Sequence, residues 1–310
     1  MSNAPSPRSA RGEIYDLGYR NYDGPRLGRW YALRSLAALS LRHTFGFGRG
    51  AGPKAIAFTL IAFALVPAIV QLAIGAFLDA ADQDFELVRP EEYYGFVQVI
   101  LILFVASMAS ELVGNDRKNN TLPLYFSRPI ERSDYVIAKV GALTLGLQAL
   151  TLVPQVLMFI GNWLGTRHQG DWFADNWTDL PAIVVSALLF SAEFAAIAIV
   201  IATFASKRAF ALVGVLGFML VSTLVTGILA DFLSLNAARA VMLVSPVYVS
   251  RAVTFVVFDA MPAVSSLDRA EGVSDQLGAA DLPAAAWLAA CVAHIGAAVW
   301  LAILRYRDTI

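Results

Sequence analysis

The chain has 310 residues, of which 58% are hydrophobic and only 15% are charged, and its mean hydropathy is +0.62. Soluble domains carry about 25% charged residues, so this composition excludes an ordinary soluble protein. The net charge of -1 hides a segregation of charges into short blocks between apolar runs. The single cysteine, Cys291, excludes an internal disulfide, and no run of residues has metal-ligand spacing.

The first element in chain order is an N-terminal tail, residues 1–25, predicted to be cytoplasmic and largely flexible. Ser, Pro and Arg dominate its first eleven positions, and it lacks the apolar core of a signal peptide. An amphipathic helix follows over residues 29–45, because apolar residues recur there at helical spacings: Trp30, Leu33, Ala37, Leu41 and Phe45. Such a helix is typical of the lipid headgroup region, either as a simple anchor or as an elbow that transmits motion.

Six apolar stretches are long enough to cross a membrane as helices, which takes about 20 residues. They are residues 55–78, 94–113, 140–164, 181–204, 209–230 and 284–304. Only helices and closed barrels satisfy the backbone in lipid, and alternating ten-residue strands are absent. The predicted fold is therefore an all-α integral membrane protein, in which residues 26–310 form one transmembrane domain.

Basic residues alternate between the two sides of the predicted bundle. Nine Lys and Arg residues precede the first span, whereas the loop after it has six acidic residues against Arg89 alone. The loop of residues 114–139 is basic again, with five Lys and Arg residues. Since Lys and Arg favour the cytoplasmic side, we expect a multi-pass plasma-membrane protein with both termini and this loop in the cytoplasm.

Residues 231–283 complicate the count of spans, because Val241 to Phe258 is itself rather apolar. A seventh span there would send the basic C-terminus outside. Pro246, Arg239 and Arg251 also argue against a clean span. We therefore expect one or two short interfacial or re-entrant helices at the outer side, before the sixth span.

Small residues recur every four positions in two predicted spans. One set is Ala138, Ala142 and Gly146, and the other is Ala289, Ala293 and Ala297. Such spacing permits close approach of helices. Either set can serve packing within the chain or contact with a second subunit.

The loop between the second and third spans contains a half-apolar segment, Thr121 to Phe126, between basic residues. A polar loop needs no such patch unless the patch docks against something. The order of an interfacial helix, six spans and this loop resembles the membrane subunits of ABC transporters, in the type-2 exporter permease superfamily. The residues that carry the resemblance are Glu111, Arg117, Asn120, Thr121, Leu122, Leu124, Pro129, Arg132, Tyr135 and Lys139.

Two positions depart from the pattern of that superfamily. Asn120 stands where Gly is usual, but Asn is among the residues that best tolerate left-handed backbone. Pro123 falls inside the expected coupling helix, where a first-turn position accommodates it. Neither departure conflicts with the resemblance.

The resemblance implies a coupling helix at about residues 119–126 that inserts into a groove on a separate ATPase subunit. Its contact residues would be apolar anchors, Leu122, Leu124, Tyr125 and Phe126, after the turn residue Thr121. Arg117, Arg128 and Arg132 would form a charged rim, although positive-inside bias alone also explains arginines here. Glu111 would brace the loop by pairing with Arg117, with Lys139 or with the elbow helix.

The resemblance implies that ATP hydrolysis takes place in a separate subunit. The chain has no Gly-x-x-x-x-Gly-Lys-Ser/Thr motif, so we expect no catalytic residue, metal site or cofactor in it. ATP and Mg²⁺ would be bound by two ABC ATPase copies. A second permease, identical or paralogous, would complete a dimer in the lipid bilayer, and no contact with nucleic acid is expected.

Polar residues within the spans suggest function, because they are rare in lipid. Gln148, Thr151 and Gln155 share one face of the third span, and Glu193 and His294 lie near the middle of the fourth and sixth. They are candidates for a substrate pathway, or else for structural clamps. A Glu193–His294 pair would also suit a proton-coupled secondary transporter, although no internal repeat is evident. A membrane-integral enzyme would need clustered polar chemistry, which the sequence lacks.

Overall fold

The computed structural model describes residues 24, 27–48, 50–80, 89–166, 168–262 and 272–307. The predicted flexible tail lies almost wholly outside these residues. The described part is all-α and contains twelve helices. They are α1 (Arg29–Thr44), α2 (Ala51–Ala80), α3 (Pro90–Lys118), α4 (Leu122–Phe126), α5 (Arg132–Gly165), α6 (Gln169–Asn176), α7 (Asp179–Phe204), α8 (Arg208–Phe232), α9 (Leu235–Val244), α10 (Pro246–Val257), α11 (Val273–Ala280) and α12 (Ala284–Arg307).

Six helices are long and apolar enough to cross a membrane: α2, α3, α5, α7, α8 and α12. They coincide with the six predicted spans, so the all-α membrane fold is confirmed. Two of them run further than hydropathy indicated, because α3 continues to Lys118 and α5 begins at Arg132. Basic residues at the end of α3 favour this extension, since a helix C-terminus carries partial negative charge.

Helices α3 and α7 form the centre of the bundle. About 67% of the apolar window of each is buried inside the protein, against 17% for α2 and α8. The Tyr93 hydroxyl of α3 contacts both α2 and α5. It lies 2.9 Å from the Ala64 carbonyl oxygen of α2 and 2.8 Å from the Leu150 carbonyl oxygen of α5. The exposed apolar sides of α2 and α8 are outer surfaces of the bundle.

Helix α1 packs along α5 on one side of the bundle. Its buried residues are Leu36, Ser40 and Thr44, whereas Trp30, from the predicted apolar stripe, is 74% exposed. The contact is close at Gly146 of α5, where an added Cβ would lie 2.5 Å from Thr44 Cγ2. Ala138 and Ala142 are buried too, so this small-residue set serves packing within the chain. The other set, Ala289, Ala293 and Ala297, is exposed.

Short helices, and not a clean span, occupy the region before α12, as predicted. Helices α9 and α10 meet at a bend of 96° and together are apolar enough for a broken span or a re-entrant loop. Helix α10 is buried from Pro246 to Phe255 and packs against α3, α7, α8 and α12. Its charged Arg251 is accommodated because Nη1 donates to the Glu91 carbonyl (2.9 Å) and Nη2 to Ser274 Oγ (3.2 Å).

We predict that Gly146→Ala destabilises the protein by about 1–3 kcal/mol through overpacking. Thr44 cannot easily yield, because its side chain is β-branched and buried and its hydroxyl lies 3.1 Å from the Ser40 carbonyl. The control is Gly141→Ala on the same helix, because a Cβ added at Gly141 would meet no neighbouring atom within 4 Å. That change should be neutral or stabilising by about 0.5–1 kcal/mol. Thermal unfolding in detergent compares the two, and equal shifts in Tm would refute the α1–α5 contact.

Candidate coupling site and polar pairs within the bundle

The short helix α4 follows a tight turn that ends α3. Asn120 has φ +48°. This is the left-handed conformation that glycine adopts readily and that asparagine tolerates better than most other residues. The Thr121 N–H and hydroxyl both reach the Asp116 carbonyl oxygen, at 3.0 and 3.2 Å. Pro123 lies in the first turn of α4, where its missing N–H has no intrahelical partner to lose. Both departures thus fit the observed backbone.

The apolar residues of α4 have two different environments. Leu122 is only 8% exposed and belongs to a cluster with Leu36, Ile130, Tyr135 and Tyr306, so its side chain holds α4 on the bundle. Leu124 is 66% exposed and is free to meet a partner. We call the exposed residues of α4 and the following turn the coupling surface: Pro123, Leu124, Ser127, Arg128 and Pro129.

The two aromatic residues of α4 are half-buried. The rings of Tyr125 and Phe126 lie 5.9 and 6.0 Å from the ring of Tyr135. Burial raises the pKa of Tyr125 above its ordinary value. Both rings therefore pack inside the chain, and their role as anchors for a partner stays a prediction.

A buried ion pair joins α3 to α5, the two long helices on either side of α4. Lys139 Nζ of α5 lies 2.7 Å from Asp116 Oδ2 of α3 and donates to the Leu112 carbonyl at 3.2 Å. The Tyr135 hydroxyl donates to the same Asp116 oxygen at 2.8 Å. We call Asp116, Tyr135 and Lys139 the buried brace. Sequence reasoning assigned a bracing role to Lys139 but missed Asp116, which looked like one more charge in a polar loop.

The N-terminus of α1 is clamped to the same place. Arg29 donates from Nε and Nη2 to the two carboxylate oxygens of Asp134, each at 2.8 Å, and from Nη1 to Glu131. Glu131 and Asp134 also form a capping box at the start of α5. The elbow helix is thereby connected to the end of the coupling loop. Sequence reasoning did not single out these three residues.

Other members of the predicted charged set contact the turn between α7 and α8. Glu111 pairs with the Arg208 guanidinium and accepts from Asn115 Nδ2 at 2.9 Å. Arg117 donates to the Ala205 carbonyl, so it is not a freely exposed rim residue. Arg132 is half-buried and Arg128 is exposed. Of the predicted rim, Arg128 is therefore the arginine best placed to meet a partner.

The polar residues of the third span join α5 to α7. Gln148 Nε2 donates to the Ala187 carbonyl at 3.2 Å, and the hydroxyls of Thr151 and Ser191 lie 3.3 Å apart. Gln155 is buried next to them. The contacts of Gln148 and Thr151 join the two helices, and the expected role of all three residues in a substrate pathway stays a prediction.

Glu193 and His294 form the contact that sequence reasoning offered as a possibility. His294 Nδ1 lies 2.6 Å from Glu193 Oε1, which joins α7 to α12. The Glu193 side chain is fully buried, whereas that of His294 is 21% exposed. Within the described residues, no group of three or more His, Cys, Asp or Glu could hold a metal ion.

The chain was compared with protein families, curated proteins and solved structures. A family model described as "ABC-2 family transporter protein" matches residues 54–306. No curated protein matches. No solved structure matches. The match covers all six candidate spans apart from the first three residues of α2 and the last residue of α12, and it includes the coupling surface and the buried brace.

We predict that Lys139→Met destabilises the protein by about 3–5 kcal/mol, because it leaves the Asp116 carboxylate buried without its cation. Combining it with Asp116→Asn should recover much of the loss, since replacing both charges of a buried pair is often nearly neutral. Thermal unfolding of the two variants in detergent is the measurement. If the double variant is at least as unstable as the single one, the buried brace does not depend on charge pairing.

Proposed function

Because the chain belongs to the ABC-2 transporter family, we propose that it is the permease subunit of an ATP-driven exporter. Two such subunits, identical or paralogous, would form the translocation pathway and would be coupled to two separate ATPase subunits that bind ATP and Mg²⁺. The cargo would be hydrophobic, amphiphilic or drug-like. The observation that carries this proposal is the exposed Leu124 on a braced helix.

The coupling surface has the composition of a docking site. Its apolar centre is Leu124, and Pro123 and Arg128 are exposed beside it. An isolated helix of five residues is unstable in water, so α4 persists because Leu122 and the turn at Thr121 hold it on the bundle. A core of apolar contact with a charged rim is the common anatomy of protein interfaces.

The surroundings of α4 suit the transmission of movement. The buried brace connects α3 to α5 on either side of α4, Arg29 connects α1 to the start of α5, and Arg117 connects the end of α3 to the α7–α8 turn. A partner that shifts α4 would therefore shift the cytoplasmic ends of several helices together. We propose that ATP binding and hydrolysis in the partner drive the bundle in this way.

The position of the proposed pathway is inferred from which residues are buried in the bundle and which helix faces are exposed. Thr151, Gln155 and Glu193 are buried within one protomer, whereas α2 and α8 expose most of their apolar windows. A pathway between two permease subunits would use these exposed helices without opening the α5–α7 seam. The predicted orientation, with both termini in the cytoplasm, would place α4 where an ATPase could reach it.

A proton-coupled secondary transporter is a second candidate, and one observation favours it. The 2.6 Å contact between His294 and the fully buried Glu193 resembles the carboxylate–histidine relays of pumps and transporters. The same contact would also serve as a polar clamp between α7 and α12. The two functions differ in their energy source, which makes them separable.

We predict that an ABC ATPase co-purifies with the wild-type chain in mild detergent and that Leu124→Asp weakens this association about tenfold or more. The reason is that a charge at the centre of an interface loses its hydration without a partner. Pull-down of tagged permease, with quantitative mass spectrometry of the bound ATPase, is the measurement. Leu27→Asp is the control, because Leu27 is an exposed leucine outside α4.

The control should retain the ATPase, and the Tm of both variants should equal that of the wild type. If the wild type brings down no ATPase, or if Leu124→Asp binds as well as Leu27→Asp, the coupling surface has been assigned wrongly.

The energy source is tested with Glu193→Gln. In the exporter, glutamine can keep a hydrogen bond to His294, so ATP-driven transport by the complex should change by less than about threefold. In the secondary transporter, the same variant should abolish dye accumulation driven by a pH gradient in proteoliposomes that contain the permease alone. Gradient-driven transport without ATP, lost in Glu193→Gln, would contradict the exporter.

A further inference from the structure

A cavity of about 410 Å³ lies at the end of the bundle opposite to α4, and we call it the end cavity. It forms where the first turn of α3, the C-terminal part of α5, helix α6, the start of α7 and the residues after α10 meet. Its volume is in the range typical of small-molecule sites. Both polar and apolar side chains line it, so it can recognise a ligand by charge as well as by shape.

The charged lining of the end cavity is mainly acidic. Glu91 of α3, Asp179 of α7 and Asp259 after α10 all line it. Among the described residues that line it, Arg89 is the only basic one, and it is exposed. Behind the lining, exposed Glu92 and buried Arg251 carry opposite charges, so they leave this balance unchanged. The lining thus carries three negative charges against one positive charge.

Helix ends offset this negative charge only in part. Glu91 and Asp179 lie in the first turns of α3 and α7, whose N-termini each carry about half a positive charge. Asp259 follows the C-terminus of α10, which carries about half a negative charge. The left-handed backbone of Asp259, with φ +52°, closes that helix, since its N–H donates to the Val256 carbonyl at 3.2 Å. The end cavity therefore keeps a net negative charge.

Glu91 is the deepest of the three carboxylates. It is only 4% exposed, yet it lines the end cavity. Arg89 and Asp179 are close enough to act on its charge, and its carboxylate contacts its own backbone N–H. Within the described residues, no other side chain forms a hydrogen bond or an ion pair with it. Buried charges are normally paired, so this carboxylate is suited to receive a positively charged ligand.

The other walls of the end cavity are aromatic and amide groups. Phe159, Trp172 and Phe258 line it, and the rings of Phe159 and Trp172 lie 5.2 Å apart. Aromatic rings attract cations and cover methylene groups. The Asn176 Nδ2 donates to the Trp172 carbonyl at 2.8 Å, which leaves its Oδ1 as an acceptor. The lining therefore offers oxygen acceptors together with apolar rings.

We propose that the end cavity binds an aliphatic diamine or polyamine. One ammonium group would be held by Glu91 and Asp179, another would lie near Asp259, and the methylene chain would contact the aromatic walls. An ammonium group has three donors and no acceptor, which matches carboxylate and amide oxygens. A metal ion fits less well, because the described residues contain no group of three or more His, Cys, Asp or Glu that could hold one. This inference goes beyond the proposed function and does not depend on it.

The test is equilibrium dialysis of radiolabelled cadaverine against the permease in phosphatidylcholine nanodiscs, with empty nanodiscs as the blank. Binding should saturate, and unlabelled spermidine should displace the label. The five-carbon analogues 1,5-pentanediol and glutarate should not, because they lack positive charge. Glu91→Gln should raise the Kd about tenfold or more, as expected from the loss of a charged hydrogen-bond partner. The exposed Asp259→Asn should raise it by up to about fivefold.

Two further variants make the test specific. Arg89→Gln should lower the Kd by up to about fivefold, because it removes the positive charge that opposes the ligand. The matched control is Glu92→Gln, since Glu92 is an exposed neighbour on α3 outside the end cavity, and it should change the Kd by less than about twofold.

Glu91→Gln keeps the backbone carbonyl that accepts from Arg251, so all variants should keep the Tm of the wild type. Four results would each overturn the proposal: no binding above the blank, equal displacement by 1,5-pentanediol, weaker binding in Arg89→Gln, or equal effects of Glu91→Gln and Glu92→Gln. If Glu91→Gln fails to fold, the opposite signs expected for Arg89→Gln and Asp259→Asn still decide the matter.

Discussion

The ion pair between Asp116 and Lys139 is the interaction on which the end of the bundle that carries α4 depends. It is buried, it joins α3 to α5, and the Tyr135 hydroxyl completes it. A buried charge pair contributes little net stability compared with apolar residues, yet losing one partner is costly. Its consequence is geometric, because it sets the distance between the helices that α4 connects. Leu122 can then reach the core while Leu124 stays outside.

The membrane-spanning helices show a similar contrast between buried contacts and exposed faces. Polar side chains of α5, α7 and α12 contact one another inside the bundle, as Thr151 does with Ser191 and Glu193 with His294. Apolar side chains of α2 and α8 are left on the outside. Since the hydrocarbon of the bilayer offers no hydrogen bonds, the polar contacts join helices inside the bundle, and the apolar faces lie on its outside.

Hydropathy was enough to predict the six spans, because lipid imposes length and composition on any helix that crosses it. The turn at Asn120 was also predictable, since few residues accept its backbone. Pairings were not. Asp116 lies 23 positions from Lys139 in the sequence, and only the antiparallel arrangement of α3 and α5 brings them together. Arg251 looked too polar for a buried helix, but a carbonyl and a hydroxyl on other helices accommodate it.

The central claim is that Leu124 contacts an ATPase while Leu122 contacts only the protein's own core. The most direct measurement is photo-crosslinking in native membranes, with benzoylphenylalanine placed at position 124 or at position 122. A probe at 124 is expected to form a covalent adduct with a protein that contains a nucleotide-binding P-loop, whereas a probe at 122 should react only within the chain. Adducts with such a protein from both positions, or from neither, would contradict the account.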